Sequence, residues 1–303
     1  MKEAVPNYYH KFRCIADRCT HNCCIGWEID IDEDTMRLYN SMDTQIGERI
    51  RLNIEGDVPH FVLDEERCPF LNKNGLCDII CECGEEALCD ICRLHPRFRS
   101  FYSSFFETGL GLCCEEAARI ILSEKEPFSV NVPDVDITNE EREFFDKRQE
   151  IFCILQNRAL SMNDRFVTLA EAFGLKFNYS LRRLCELYLS LERLDENWTD
   201  ILDGLKNYSF RGTVFDDEKL QTVFEQLSVY FIFRHLGDAM WDGDYKARVN
   251  FALMSSFLIG SLCEQYIKEN GSISLPEIAE FARMYSAEIE YSEENPDVLM
   301  MMD

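Results

Sequence analysis

Cys14-Ile-Ala-Asp-Arg-Cys19-Thr-His-Asn-Cys23-Cys24 puts four thiols into one short stretch. Cys68-Pro-Phe-Leu, Cys77, Cys89-Asp-Ile-Cys92 and Cys113-Cys114 follow, so 12 of the 15 cysteines fall between Cys14 and Cys114. Isolated buried thiols would not concentrate this way. Thiolate sulfur is a soft donor that suits zinc, copper(I) and iron–sulfur clusters, and structural zinc and iron–sulfur centres usually take four donors. We read the stretch as a thiolate-rich metal or iron–sulfur site. Cys14, Cys19, Cys23 and Cys24 give one compact group. Cys68, Cys77, Cys92 and either Cys113 or Cys114 can give a second. Adjacent residues of an extended chain point apart, so Cys23 and Cys24 either serve different metals or only one of them ligates.

Outward from these thiols, Trp27, Ile29 and Ile31 alternate with polar residues and predict a short strand. Asp32 or Asp34 caps a helix over about 33–42, and a second follows near 47–52. Asn72-Lys-Asn-Gly75 reads as the turn of a hairpin that presents Cys68 and Cys77 from its two arms. Gly84 to Cys92 reads as a short helix stopped by Pro96, and Glu115 opens another. Upstream, Tyr8, Tyr9, His10, Lys11, Phe12 and Arg13 form an aromatic and basic segment, expected to pack rather than dock.

Pro127 and Pro133 bracket an extended stretch, and no proline occurs from Asp134 to Leu275. Thr138-Asn-Glu-Glu141 has the form of a capping box. Helices are expected at about 163–173, 180–194, 196–207, 216–236, 244–269 and 275–289. The fold class is therefore mainly α: a small cysteine-rich α+β metal-binding domain over 1–126, then an α-helical bundle over 127–303.

Composition narrows the function. The 303 residues are 46% hydrophobic, enough for a core, and 56 acids against 31 bases give a formal charge of −25. Such a surface repels phosphate backbones and anionic lipids, so neither nucleic acid nor membrane is an expected partner, whereas lysine side chains are attracted. No secretory h-region and no long apolar run is visible. A cytoplasmic setting follows, where clustered cysteines serve as ligands or redox groups more often than as disulfides.

Other candidates carry less. Cys89-x-x-Cys92 by itself is also the thioredoxin spacing, but no βαβ pattern surrounds it. Cys19-x3-Cys23 begins like a radical S-adenosylmethionine (SAM) signature, yet the third position is Gly26. Cys81 and Cys83 look incidental. Cys153, Cys185 and Cys263 lie on helical faces and are expected in the core. His21 reads as a polar neighbour of the thiols. Arg93, Arg97 and Arg99 serve either a thiolate cluster or nearby acids. Tyr230, Phe231, Phe233 and Trp241 read as bundle core. No dinucleotide-type loop is present.

Together Pro6-Asn-Tyr-Tyr, Phe12-x-Cys14, Cys19-x3-Cys23-Cys24-x-Gly26-Trp27-x-Ile29-x-Ile31-Asp32, Cys68-Pro-Phe-Leu71, Gly75-Leu-Cys77, Gly84-Glu, Cys89-x-x-Cys92, Pro96-Arg97 and Cys113-Cys114-Glu-Glu-Ala resemble the FliB family of flagellin lysine-N-methylases. The resemblance covers about the first 120 residues. The cysteine order is also similar to the YkgJ-type zinc- or iron-chelating domain. Its eight-cysteine pattern falls here on Cys14, Cys19, Cys23, Cys24, Cys68, Cys77, Cys92 and either Cys113 or Cys114. The resemblance implies methyl transfer from SAM to lysines of flagellin, or of another lysine-bearing protein, and an iron–sulfur centre, with zinc as the alternative metal. Two further readings compete: a metal-stapled interaction module, and a redox or iron-handling protein.

Overall fold

A computed structural model describes residues 1–302. Among them are fifteen α-helices and five short strands, a mainly α fold with a cysteine-rich region near the N-terminus. The chain divides into two compact units: residues 13–98, which hold most of the thiols, and residues 1–12 together with 99–303. The expected border after residue 126 lies inside the larger unit.

The chain opens with β1 (Lys2–Ala4) and Tyr8 and Phe12, both buried, and then enters the cysteine unit. There α1 (Glu33–Ser41) starts at Asp32, whose carboxylate accepts from the Thr35 amide, and α2 (Gln45–Leu52) starts at Thr44, whose hydroxyl accepts from Gly47. Both are ordinary N-caps that satisfy orphan amides. β2 (Ile54–Glu55) and β3 (His60–Phe61) pair antiparallel. The predicted strand over Trp27–Ile31 is reduced to isolated bridges, but its alternation holds, with Ile29 and Ile31 buried. The turn at 72–75 forms as expected: Gly75 has φ +75°, its amide donates to Asn72, and Leu71 pairs with Cys77. Directly after it come α3 (Asp78–Cys83), which the sequence reading missed, a 3-10 turn over Glu85–Ala87 and α4 (Asp90–Leu94). The unit's core is Ile29, Ile31, Tyr39, Ile46, Ile50, Phe61, Phe70, Ile79 and Ala87, with Cys68 and Cys89 among them.

β4 (Arg97–Phe101) and β5 (Phe105–Leu110) turn the aromatic segment into strands, and β1 joins β5 in parallel, giving the order β1-β5-β4. Then come α5 (Glu115–Ser123), α6 (Asn139–Leu155), α7 (Met162–Ala172), α8 (Leu181–Leu189), α9 (Glu196–Leu205), α10 (Thr213–Asp216), α11 (Gln221–His235), α12 (Ala239–Asp242), α13 (Tyr245–Asn270), α14 (Leu275–Tyr285) and α15 (Asn295–Met300). A π-helical turn, Ser286–Glu290, extends α14. The stretch after Ser123 does not separate domains. Phe128 is buried against Tyr8, Phe152 and Phe233, and the Asn7 amide donates to Ser129. Those rings supply the apolar contact that keeps an extended segment on the bundle.

The 26-residue α13 is apolar on all sides and packs against α11 and α14 as well as α7, α8, α9, α10 and α15. Burial all round is what such a sequence demands. Cys185 and Cys263 are buried as expected, whereas Cys153 is exposed on α6. Tyr230, Phe231 and Phe233 are core, but Trp241 is 77% exposed, because it sits on the short α12 rather than on the face of α11. No helix among the described residues is long and apolar enough to cross a membrane.

Candidate metal centre

All fifteen cysteines are free thiols. Backbone pairing begins to bring some of them together: the Cys68 amide donates to the Cys24 carbonyl at 2.8 Å, and Asp78, just after Cys77, donates to the Phe70 carbonyl at 2.8 Å. Arg49 ties the same two arms, bonding Asp78 at 2.6 Å and the Pro69 carbonyl at 2.6 Å while stacking on Phe70. A bidentate guanidinium is suited to such cross-linking. From the other side, Asp32 accepts from the Asp90 amide at 2.8 Å, and Tyr39 donates to the Ala87 carbonyl at 2.8 Å. Both bonds fix the segment that carries Cys89 and Cys92. Trp27 donates to the Cys23 carbonyl and lies 5.4 Å from the His95 ring.

The result brings Cys24, from the first expected group, into the electrostatic neighbourhood of Cys68, Cys77 and Cys92, from the second, with Cys23 attached through its hydrogen bond to Cys24. It adds Cys89, which the sequence reading left out of the ligand set. Cys89 is buried and hydrogen-bonded to Cys92. The signal for it is the Cys89-x-x-Cys92 spacing, the close pairing that thiolate metal sites use. Cys14 is exposed, and the Cys19 thiol donates to the His21 carbonyl at 3.3 Å. Cys113 and Cys114 belong to the other unit, where Cys113 meets Tyr291, Arg234 and Glu290. Among the described residues, no three sulfurs lie within 4.8 Å of one another.

The electrostatics are those of crowded thiols. Cys23 is lowered to about 7 by its hydrogen bond with Cys24, which in turn is driven well up by that bond, by burial and by the charges of Cys23, Cys68 and Cys77. Burial pushes Cys68 up to about 11, with Cys77 and Cys89 adding and the amides of Phe70 and Leu71 opposing. Burial also raises Cys77 against the amides of Ile80 and Ile79. Cys92 rises through its bond to Cys89, through burial and through the charges of Cys89, Cys24 and Cys68, while that same bond lowers Cys89. Neighbouring thiolates in a low-dielectric core cannot all ionise unaided. A soft cation reverses that balance, because it takes thiolates as ligands and releases their protons. The donor chemistry therefore suits a thiolate-held metal or iron–sulfur centre, with Cys24, Cys68, Cys77, Cys89 and Cys92 as the residues able to hold it.

Comparison with known proteins adds relatives with names. Lysine-N-methylases of Salmonella typhimurium and Salmonella choleraesuis are each 26% identical to this chain over 225 residues, covering 65% of this chain and 54% of theirs. The flagellar biosynthetic protein FliU of Salmonella muenchen is 27% identical over 137 residues, 41% of this chain and 79% of its own. The chain thus spans about half the length of the lysine-N-methylases it matches. These relatives bear out the resemblance to the flagellin lysine-N-methylases drawn from the cysteine motifs. No family model matches the chain, and no solved structure does.

Proposed function

We propose that the chain acts in flagellar lysine methylation, moving a methyl group from SAM to lysine side chains of flagellin, with an iron–sulfur centre held in residues 13–98. The observation that carries this reading is the similarity to the two Salmonella lysine-N-methylases over 65% of the chain. In that reaction a lone pair of the lysine nitrogen forms a bond to the methyl carbon, and the sulfur–carbon bond of SAM breaks. S-adenosylhomocysteine leaves with the bonding pair, and the nitrogen sheds one proton. Only the neutral amine has that lone pair, so the ammonium form must be deprotonated first. The surplus of 56 acidic over 31 basic residues favours the approach of that ammonium.

The chain's own part at the proposed centre is to hold its ligands. Thiolates drawn from Cys24, Cys68, Cys77, Cys89 and Cys92 would hold the centre, with Cys68 and Cys89 set in the apolar core and Arg49 fixing the two arms. When bound, such a centre supplies a local positive charge and, for iron, access to redox change.

A second reading is favoured by a separate observation: Cys68 and Cys89 are part of the unit's hydrophobic core. A metal there acts as a structural staple, because binding energy at such a site is folding energy.

The deciding experiment uses the full chain purified without oxygen. Visible charge-transfer absorption, stoichiometric iron and sulfide, and transfer of label from methyl-labelled SAM to flagellin lysines are the expected results. Protein that carries iron and binds SAM but leaves flagellin unlabelled overturns the methylase reading and leaves the staple. Bound zinc with no iron overturns the cluster.

A further inference from the structure

One group of side chains outside the thiol set has the makings of a second cation site. One ligand atom from each of Glu28, Asp30 and His60 falls within 4.8 Å of the other two. Among the described residues it is the one such group of His, Cys, Asp or Glu. Its origin lies in the strand pattern. Ile29 and Ile31 point into the core, so Glu28 and Asp30 share the opposite, exposed face. Asp30 bridges antiparallel to His60, and His60 pairs with Glu55 across β2 and β3. Three carboxylates are thus delivered to the surroundings of a single imidazole, and like charges so close on one sheet face repel.

His60 is the member that makes this more than a patch of acids. Its Nδ1 lies 3.0 Å from the Val58 carbonyl oxygen, a partner outside the group. A carbonyl only accepts, so Nδ1 carries a hydrogen, and in the neutral ring Nε2 keeps its lone pair. That nitrogen is 3.8 Å from a Glu55 carboxylate oxygen. The ring is also held sterically. Gly56 has φ +88°, and a Cβ built there would sit 2.6 Å from Cε1 and 2.8 Å from Nδ1 of His60. The imidazole therefore occupies space that only a glycine leaves. A histidine whose far nitrogen donates to a backbone carbonyl is oriented as metal-binding histidines are. Metal–ligand distances of about 2.0–2.2 Å put two donors on one ion at most roughly 4.4 Å apart, so small side-chain movements close the site.

We propose that Glu28, Asp30 and His60 bind one first-row divalent cation of the Mn2+ or Zn2+ kind, with Glu55 beside it. Nitrogen with carboxylate oxygen and no sulfur selects a harder ion than the thiols do. Three protein donors leave positions for water or a substrate oxygen. The site stands apart from the methylase reading and from the thiol centre.

Mn2+ is the probe, because thiolate sites take it poorly. The full chain is titrated with Mn2+ and the free ion followed by its six-line electron paramagnetic resonance. One bound ion per chain is expected, with binding weakened at least tenfold in His60→Ala and in Glu28→Gln. Glu28 is exposed, so its variant tests the site even if His60→Ala fails to fold. Circular dichroism and thiol-site metal content should not change in Glu28→Gln. Absence of Mn2+ binding to the wild-type chain overturns the proposal. So does binding that survives Glu28→Gln, or a His60 ring whose two nitrogens are both shown by 15N shifts to stay protonated at neutral pH while Mn2+ is present.

Discussion

Single atoms decide what the thiol set can be. Cys89 shows how far one residue can be read from sequence. Its spacing to Cys92 was visible, but the spacing alone cannot say whether both sulfurs turn inward, and only the bond between them does. The converse holds for Cys14, which belongs to the family-like motif and yet is exposed. Replacing Cys89 by Ser should therefore strip metal from the purified chain and lower its melting temperature, while Cys14→Ser should leave both near wild type; elemental analysis and calorimetry read the two outcomes. Asp32 offers a test of acid sensitivity. Burial pushes its carboxyl up, but the amides of Asp90 and Thr35 and the Thr35 hydroxyl outweigh that and hold it below the usual carboxylate range. The folded value lies under the unfolded one of about 3.9, so its contribution is fully present above that pH and is lost as pH falls through the folded value. Asp32→Ala should cost about 0.5–2 kcal/mol at pH 7. Urea titrations should show the gap between variant and wild type closing as the pH drops below about 4.

At the scale of helices and strands, most boundaries were legible because they are set by local chemistry. Thr138 and Glu141 exchange the two bonds of a capping box, and α13 and α14 begin and end near the expected residues. What escaped was short or tertiary. α3 follows the hairpin with no cap or period long enough to announce it, and β1 is a strand only through pairing with β5 across more than a hundred residues. Contacts of that kind leave no pattern in a local window. Two elements are locked by features whose loss can be measured. On α13, a Cβ at Gly260 would overlap the buried Phe215 ring. Gly260→Ala should destabilise by roughly 1–3 kcal/mol through overpacking, even though alanine favours a helix. Between β5 and α6, Arg148 makes two bonds of 2.7 and 2.6 Å to Glu107, both side chains buried. Arg148→Met leaves a lone charge in the core and should cost about 3–5 kcal/mol in urea unfolding. Adding Glu107→Gln should recover much of the loss.

For the molecule as a whole, sequence conveyed the class and the charge, and the seam it suggests after residue 126 follows composition. A composition change marks where cysteines stop, whereas the two units part where contacts thin, at 12/13 and 98/99. The charge of −25 has a measurable consequence if a lysine-bearing protein is the partner. Its affinity should fall steeply as salt rises from low to physiological strength, since exposed charges are screened beyond about 8 Å there. An affinity indifferent to salt would remove charge attraction from the account.

The cysteine unit interrupts its host, and synthesis has to respect that order. Residues 2–4 leave the ribosome early, yet their strand partner, Phe105–Glu107, is made only after the whole insert has emerged. The insert can therefore mature, and acquire whatever it binds, while the leading peptide still waits unpaired. Loading can thus precede closure of the bundle, and a nascent chain halted once residue 98 has cleared the exit tunnel should already be competent to capture what the insert binds.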